Sequence, residues 1–370
     1  GRGSPTGVTF YQGDQFPAEY RDQFFICDWS QGRILAVALK RDGATYSGQA
    51  QEMVSGQPLN CTDIETGPDG CVYFATGGRG TQGGLFRLKS TRATSPKAAP
   101  TDFVAAALDI DSPLSSFSRK KVAALKAENE GEWKTRIEAV ARDASGQRPS
   151  SHRVRALDLM EQHGPAPSES LLFDLSTDPD ADVRARAVSL LGYLTTETSR
   201  QALTKALTDK DPFVQRHACE SLMQQPAETI PVPALIPLLA GSDRYLRSAA
   251  RTAIEHADTA RYRDALLAGA GTRAQLEGML TIVRGTRLDQ PAQDDLFARQ
   301  AALLKQNLDP ALQLDLLRLI ELTYLLGPSK AEASASKEFR PLLMAIFSEK
   351  VDTPVNRETA RLLAYLDEPA

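Results

Sequence analysis

Two hydrophobic periods divide the chain. Through residue 89 the apolar residues come in short runs broken by turn formers: Phe24-Phe25-Ile26-Cys27, then Ser30-Gln31-Gly32, then Arg33 to Leu39. A second set follows, with Cys61 to Thr66, the turn Gly67-Pro68-Asp69-Gly70 and Cys71 to Ala75, before a glycine-rich loop leads to Leu85-Phe86-Arg87-Leu88. Strands this short, with turn signals between them, predict meandering antiparallel sheets, one giving way to the next near residue 45. Residues 90–112 are rich in Ser, Thr, Pro and Ala and read as a linker. From 113 to 370 the period is helical, and Pro and Gly fall between the apolar stripes instead of within them.

The helical part repeats itself. Asp178-Pro-Asp-Ala-Asp-Val183-Arg184-Ala-Arg-Ala187 is echoed by Asp209 to Ala218 and by Gly241 to Ala250. Val183, Val214 and Leu246 are 31 and 32 residues apart. Each is followed four residues on by Ala187, Ala218 or Ala250, and eight on by Leu191, Leu222 or Ile254. Each is preceded three residues earlier by Asp180, Asp211 or Asp243, placed to cap the second helix of a hairpin by accepting its free N–H groups. A blurred further copy surrounds Val154-Arg155, and another Val355 to Leu366. Copies at a period near 30 predict an α-solenoid, in which the small alanine admits a neighbouring helix and the larger apolar residues fill the shared core.

Asp-x-Asp-x-x-Val-Arg-x-x-Ala resembles the HEAT-repeat signature over residues 150–256, with the remainder to Ala370 a degenerate continuation. In residues 1–89, Ser4-Pro5-Thr6-Gly7-Val8, Phe16 to Arg21, Phe25-Ile26-Cys27-Asp28-Trp29 and Gly67 to Tyr73 resemble the last blades of glucose/sorbosone dehydrogenase-like propellers. Joined through Leu114 to Arg119, the two resemble the multidomain membrane-bound dehydrogenase-like or haem-binding proteins of Planctomycetes. The expected fold is therefore multidomain β + α: a partial β-propeller of about two blades over 1–89, a linker over 90–112 and a HEAT-like α-solenoid over 113–370. The resemblance implies pyrroloquinoline quinone or haem c as the family's cofactors and a periplasmic or exported location. It also implies a cytochrome domain beyond the helical region.

Candidate chemistry is sparse. The propeller dehydrogenases hold their tricarboxylate quinone through arginines before the Pro-Asp-Gly turn. The matching stretch here is Asn60-Cys61-Thr62-Asp63-Ile64, neutral at both arginine positions, so the charge-paired anchoring is gone. Asp28, Arg33, Asp63 and Arg79 are the candidate polar residues of a propeller channel, with Asp63 read as a structural hydrogen-bonding group. Gly78-Arg79-Gly80-Thr81-Gln82-Gly83 is formally G-x-G-x-x-G, but a strand follows it and no helix N-terminus is presented to a pyrophosphate. His152, His163, His217 and His256 all lie in the helical region, which leaves the β segment without an imidazole base.

Charge and cysteines narrow the picture further. A net charge of −4 supplies no basic field for nucleic acid. No apolar run approaches the ~18 residues of a membrane span. Cys27, Cys61, Cys71 and Cys219 form no C-x-x-C and no metal-binding pattern, and one disulfide among the first three is open to an oxidising compartment. The start at Gly1-Arg2-Gly3-Ser4, without Met or a leader pattern, is expected of a processed chain or a piece of a longer one.

Together these features point to a non-catalytic scaffold, with no cofactor site of its own. Its helical surface would dock another protein or another domain of the same polypeptide. The alternative is a share of a quinone-dependent sugar or alcohol dehydrogenase whose catalytic residues lie outside these residues. A carbohydrate-binding blade segment is the third reading.

Overall fold

A computed structural model describes residues 3–92, 97–328, 334–348 and 353–367. Strands β1 (Pro5–Phe10), β2 (Phe24–Asp28), β3 (Arg33–Asp42) and β4 (Thr45–Ser55) form an antiparallel meander in sequence order. Strands β5 (Cys61–Thr66), β6 (Val72–Gly78) and β7 (Thr81–Leu88) form a second. The change of sheet therefore falls between Ser55 and Cys61. Residue 45, where sequence reading puts it, lies in the hairpin joining β3 to β4, whose Gly43 has φ +57°. Two meanders are present, and they do not close into a ring.

Alternation sets the core of this part. Phe25 and Cys27 of β2, Ile34 and Ala36 of β3, Ile64 of β5 and Val72 and Phe74 of β6 turn inward around Tyr11 and Phe16. Edge β1 lies on edge β5, where Thr6 Oγ1 donates to the Cys61 carbonyl at 2.6 Å. Gly7 makes that approach feasible, because a Cβ there would sit 2.5 Å from Asp63 Cα. Buried Tyr11 stacks on Phe25 at 5.5 Å; its hydroxyl accepts from Gln15 and Phe16 N–H at 2.9 Å and donates to the Gly70 carbonyl at 3.0 Å. That single oxygen ties the 11–16 loop to the Pro-Asp-Gly turn, and burial pushes its pKa up to about 12. The four cysteines are free thiols in buried positions. Sharing a hydrogen bond with Cys61, together with burial, pushes the Cys27 thiol up.

Helices follow. Within the expected linker, Phe103–Leu108 forms α1, capped by Asp102 through Ala105 N–H at 2.8 Å, with Val104 and Ala107 buried. The polar flanks hide so short an apolar run from sequence reading. Then come α2 (Ser116–Glu128), α3 (Glu130–Arg142), α4 (Ser150–His163), α5 (Glu169–Leu175), α6 (Ala181–Leu191), α7 (Glu197–Ala206) and α8 (Pro212–Leu222). They continue as α9 (Val232–Leu235), α10 (Arg244–Glu255), α11 (Arg263–Leu267), α12 (Thr272–Gly285) and α13 (Gln290–Leu304). The last three are α14 (Pro310–Leu326), α15 (Ser334–Ile346) and α16 (Pro354–Asp367). One compact unit comprises residues up to 171 with 178–183, and a second comprises 172–177 with 184–370.

The repeat signature works as two linked devices. Its second aspartate caps: Asp211 accepts from Phe213 N–H at 2.9 Å, and Asp243 from Tyr245 and Leu246 N–H at 2.8 and 3.1 Å. Asp289 and Asp309 repeat the cap at α13 and α14, with proline in the first turn of each. Its first aspartate meets an arginine of the preceding repeat. Arg184 Nε and Nη2 donate to the two oxygens of Asp209, both at 2.8 Å, while Asp209 also accepts from Asp211 N–H at 2.8 Å. Arg153 also grips both oxygens of Asp178, through Nη1 and Nη2, while its Nε donates to the Ala141 carbonyl at 3.1 Å. Arg153, not Arg155, is thus the equivalent of Arg184, so the earlier copy sits two residues before the register read at Val154-Arg155. Ala156 and Met160, both buried, take the places of Ala187 and Leu191.

Close packing completes the stack. Val183, Val214, Ala187, Ala218, Leu191 and Leu222 are fully buried. In the second unit α8, α10, α12, α14 and α16 lie side by side in succession. At Gly278 of α12 a Cβ would come 2.2 Å from the Leu266 carbonyl, so only glycine lets α11 cross there.

Burial alone would raise the Asp209 carboxyl, but Arg184 and the Asp211 N–H outweigh it and hold the pKa below its ordinary 3.8. A carboxylate depressed on folding stabilises the fold above the unfolded value, and that stabilisation is lost as pH falls through the folded value. Arg184→Ala, which leaves Asp209 half-buried without its cation, should cost about 3–5 kcal/mol in urea melts at neutral pH. The gap between wild type and Arg184→Ala should shrink as pH falls below the ordinary 3.8 and on through the depressed folded value, where the wild-type carboxylate also protonates. A constant gap down to acid would show that the ion pair is not what the arginine contributes.

Candidate functional site

Two of the four channel candidates, Asp28 and Arg33, meet in one ion pair, and the other two make separate local contacts. Asp28 ends β2 and is only 5% exposed. Its carboxylate accepts from Ser4 N–H at 3.0 Å, Gln31 N–H at 3.3 Å and Ser30 Oγ at 3.3 Å, and Arg33 Nε donates to it at 3.2 Å. Burial raises its pKa, and these donors together outweigh it, so the carboxylate lies below its ordinary range. Asp28 and Arg33 are thus brought together as the clamp of the β2–β3 turn. Arg79, in the exposed β6–β7 hairpin with φ +48°, lies 5.4 Å over the Trp29 ring, and Trp29 Nε1 donates to the Gly77 carbonyl at 2.9 Å. Exposed Asp63 accepts from the N–H of its neighbour Ile64 at 2.9 Å.

The stretch matching the quinone-anchoring arginines is committed elsewhere. Asn60 Nδ2 donates to the Trp29 carbonyl at 3.1 Å, and Thr62 Oγ1 to the Ala75 carbonyl at 3.2 Å. Both side chains satisfy backbone acceptors, and neither carries a charge.

A second polar surface was not foreseen from the sequence. Along the second helices of the later hairpins, ion pairs run from each helix to the next. Arg247 and Arg251 of α10 reach Glu277 of α12 at 3.1 and 3.0 Å, and Arg284 returns to Glu255 at 3.0 Å. Arg273 of α12 reaches Asp315 of α14, and Arg318 of α14 reaches Glu358 of α16 at 3.3 Å. Glu277 and Glu358 are buried. His217 of α8 is half-buried, with Ser189 Oγ at 2.9 Å from Nδ1 and the Phe213 ring edge-on at 4.5 Å. Among the described residues no three His, Cys, Asp or Glu side chains group as metal ligands, and no helix is long and apolar enough to cross a membrane.

The match to a protein-family model agrees with the helical geometry. Residues 169–255 match the family model of HEAT repeats. The archaeal HEAT-like repeats protein from Thermococcus onnurineus NA1 is similar at 13% identity, over 63% of this chain and 97% of that one, with a TM-score of 0.41. The complex of CpcE and CpcF of phycocyanin lyase from Nostoc sp. PCC7120 is similar at 16% identity, over 62% and 94%, with a TM-score of 0.32. Human deoxyhypusine hydroxylase in complex with glycerol is similar at 15% identity, over 65% and 88%, with a TM-score of 0.28. A comparison with curated proteins finds no match. The helical region is a HEAT-like repeat stack, preceded in this chain by two antiparallel sheets.

If Asp28 is a clamp, Asp28→Ala should lower stability by about 2 kcal/mol or more, because it strands buried N–H groups. An unchanged urea midpoint would return Asp28 to the pool of free polar residues.

Proposed function

We propose that the chain is a non-catalytic scaffold whose HEAT-like stack docks a protein partner or another domain of the same polypeptide. One observation carries this reading: the second helices of successive hairpins are locked side by side by ion pairs between neighbours, which makes a rigid polar face instead of a cleft. Stacks of this kind bind through extended surfaces, and exposed tyrosine and arginine are the side chains that anchor such contacts. Tyr193, after α6, is 65% exposed, and Tyr245, opening α10, is 42% exposed.

Assignment of residues 1–89 to terminal propeller blades, of 113–370 to the docking arm and of the whole to an exported redox assembly rests on the sequence resemblance. The residues do not fit the family's quinone. Asn60 and Thr62 are bonded to backbone carbonyls, Arg33 is held by Asp28, and no chemical step is assigned to that group.

A photo-crosslinking residue placed at Tyr193 or Tyr245 in the source cell should trap polypeptide, whereas one at Tyr46 on β4 should not. Tyr193→Ala with Tyr245→Ala should abolish the adduct formed from a neighbouring probe while shifting stability by no more than about 0.5 kcal/mol. Crosslinks confined to the sheets would move the interface away from the helices. Calorimetric titration with pyrroloquinoline quinone and calcium should show no binding tighter than about micromolar, since two charge-assisted contacts of ~1.5–3 kcal/mol each are missing. Submicromolar binding would restore the dehydrogenase reading.

A further inference from the structure

Two cysteines meet inside the β part. Cys27 lies near the end of β2 and Cys61 opens β5, so they belong to different sheets. Both are 0% exposed and sit in one core cluster with Tyr11, Phe25 and Ile64. Strand β1 brings them together. Its pairing with β2 is irregular between Pro5 and Val8, which sets Thr6 and Gly7 opposite Cys27. From that irregularity Thr6 Oγ1 donates to the Cys61 carbonyl at 2.6 Å, and the Gly7 N–H donates to the Cys27 sulfur. The Cys27 thiol in turn donates to the Cys61 sulfur, which holds the Cys61 thiol below its ordinary value although burial pushes the other way.

Neither of the other cysteines is placed to compete. Cys61 pairs with Thr76 across the β5–β6 hairpin, whereas Thr66 pairs with Val72, so Cys71 lies at the opposite end of that hairpin. At the rise of a strand the separation is about 16 Å, well beyond the ~7 Å between Cα atoms that a disulfide spans. The Cys71 thiol meets the Asp69 carboxylate instead. Cys219 lies in α8, in the second compact unit.

We propose that Cys27 and Cys61 are an oxidisable pair that closes into a disulfide between the two sheets when the chain folds in the presence of a disulfide oxidant. The reduced pair is the form the structure shows. In the reaction, one thiolate attacks a sulfur of the oxidant, breaking its S–S bond and leaving a mixed disulfide. The second thiolate attacks the first protein sulfur and expels the remaining half of the oxidant. One S–S bond is exchanged for another, two electrons pass to the oxidant, and both thiol protons end on its two released thiols. Neither cysteine is exposed in the folded chain, so the first exchange precedes docking of the sheets, and docking then delivers Cys61 to Cys27. Once closed, the bond is shielded from reductants by the same burial. It rings residues 27–61, β3 and β4 included, and so restricts the unfolded chain and stabilises the fold.

The test refolds the full chain from denaturant with reduced and oxidised glutathione, beside a control refolded in reductant alone. Free thiols are alkylated, and the protein is cut with trypsin and a glutamate-specific protease. Glu65 lies between Cys61 and Cys71, so the two fall in separate peptides. The expected product is a single linked pair joining the Cys27 and Cys61 peptides, with Cys71 and Cys219 alkylated. The oxidised protein should melt about 5 °C or more above the reduced control. Cys71→Ser should keep both the link and the shift, and Cys27→Ser should lose both. Four free thiols after oxidative refolding, or a link that involves Cys71, Cys219 or a second chain, would overturn the proposal. So would a Cys27–Cys61 link that leaves the melting temperature unchanged or lower. Should Cys27→Ser fail to fold, the peptide map and the paired melts of the wild-type chain decide it.

Discussion

The early part of the helical stack depends on a charge that one repeat hands to the next, Arg153 to Asp178 and Arg184 to Asp209. An aspartate just before the second helix cannot be buried alone, and an arginine of the preceding repeat reaches it with both prongs. The same aspartate accepts the N–H of the capping aspartate two residues on, so one carboxylate fixes the loop, starts the helix and sets the spacing between hairpins. Val183, Ala187 and Leu191 can then fill a common core, because the ion pair has already fixed which faces meet. A hydrophobic contact tolerates sliding by a turn; a two-pronged guanidinium–carboxylate pair does not. Later in the stack the specific pair gives way to a looser network, Arg247 and Arg251 sharing Glu277, and the sequence period blurs over the same stretch.

How much of this was legible follows from how each element advertises itself. The helices from 178 to 256 show in the sequence because cap, small residue and apolar stripe repeat together. Strand β4 left no signal: Thr45–Ser55 is polar and mostly exposed, and it pairs with β3 along its length through backbone bonds that any side chain permits. Missing that strand moved the expected sheet boundary to residue 45, inside the β3–β4 hairpin. Strand β1 shares the difficulty, since its alternation covers only six residues and its contact with β5 depends on the absence of a side chain at Gly7. The arginine ladder did leave a trace, Arg153 to Asp178 and Arg184 to Asp209 being separated by equal intervals. A search for apolar periods does not look for it.

In the β part a few polar groups perform an equivalent fixing role. The Tyr11 hydroxyl joins three backbone groups from two loops, and the Asp28 carboxylate collects the N-terminal segment, the β2–β3 turn and Arg33. Residues that sequence reading places in a channel are thereby used up as structure. Polar residues near turns more often complete backbone bonding than perform chemistry, and Asp28, Asp63, Asn60 and Thr62 all behave this way.

That economy makes the exceptions informative. Arg153 and Arg155 lie two residues apart on α4, about 200° around the helix, and so face nearly opposite directions. Arg153 is 4% exposed and completely engaged by Asp178 and the Ala141 carbonyl, as an interior guanidinium must be. Arg155, on the other side of α4, has Nε and Nη2 buried without a hydrogen-bond partner, and the charge of the nearby Asp158 carboxylate acts on it. The ladder thus follows from guanidinium chemistry: an arginine is tolerated in the interior where this chain supplies the carboxylate, and the two-pronged contact then builds the stack.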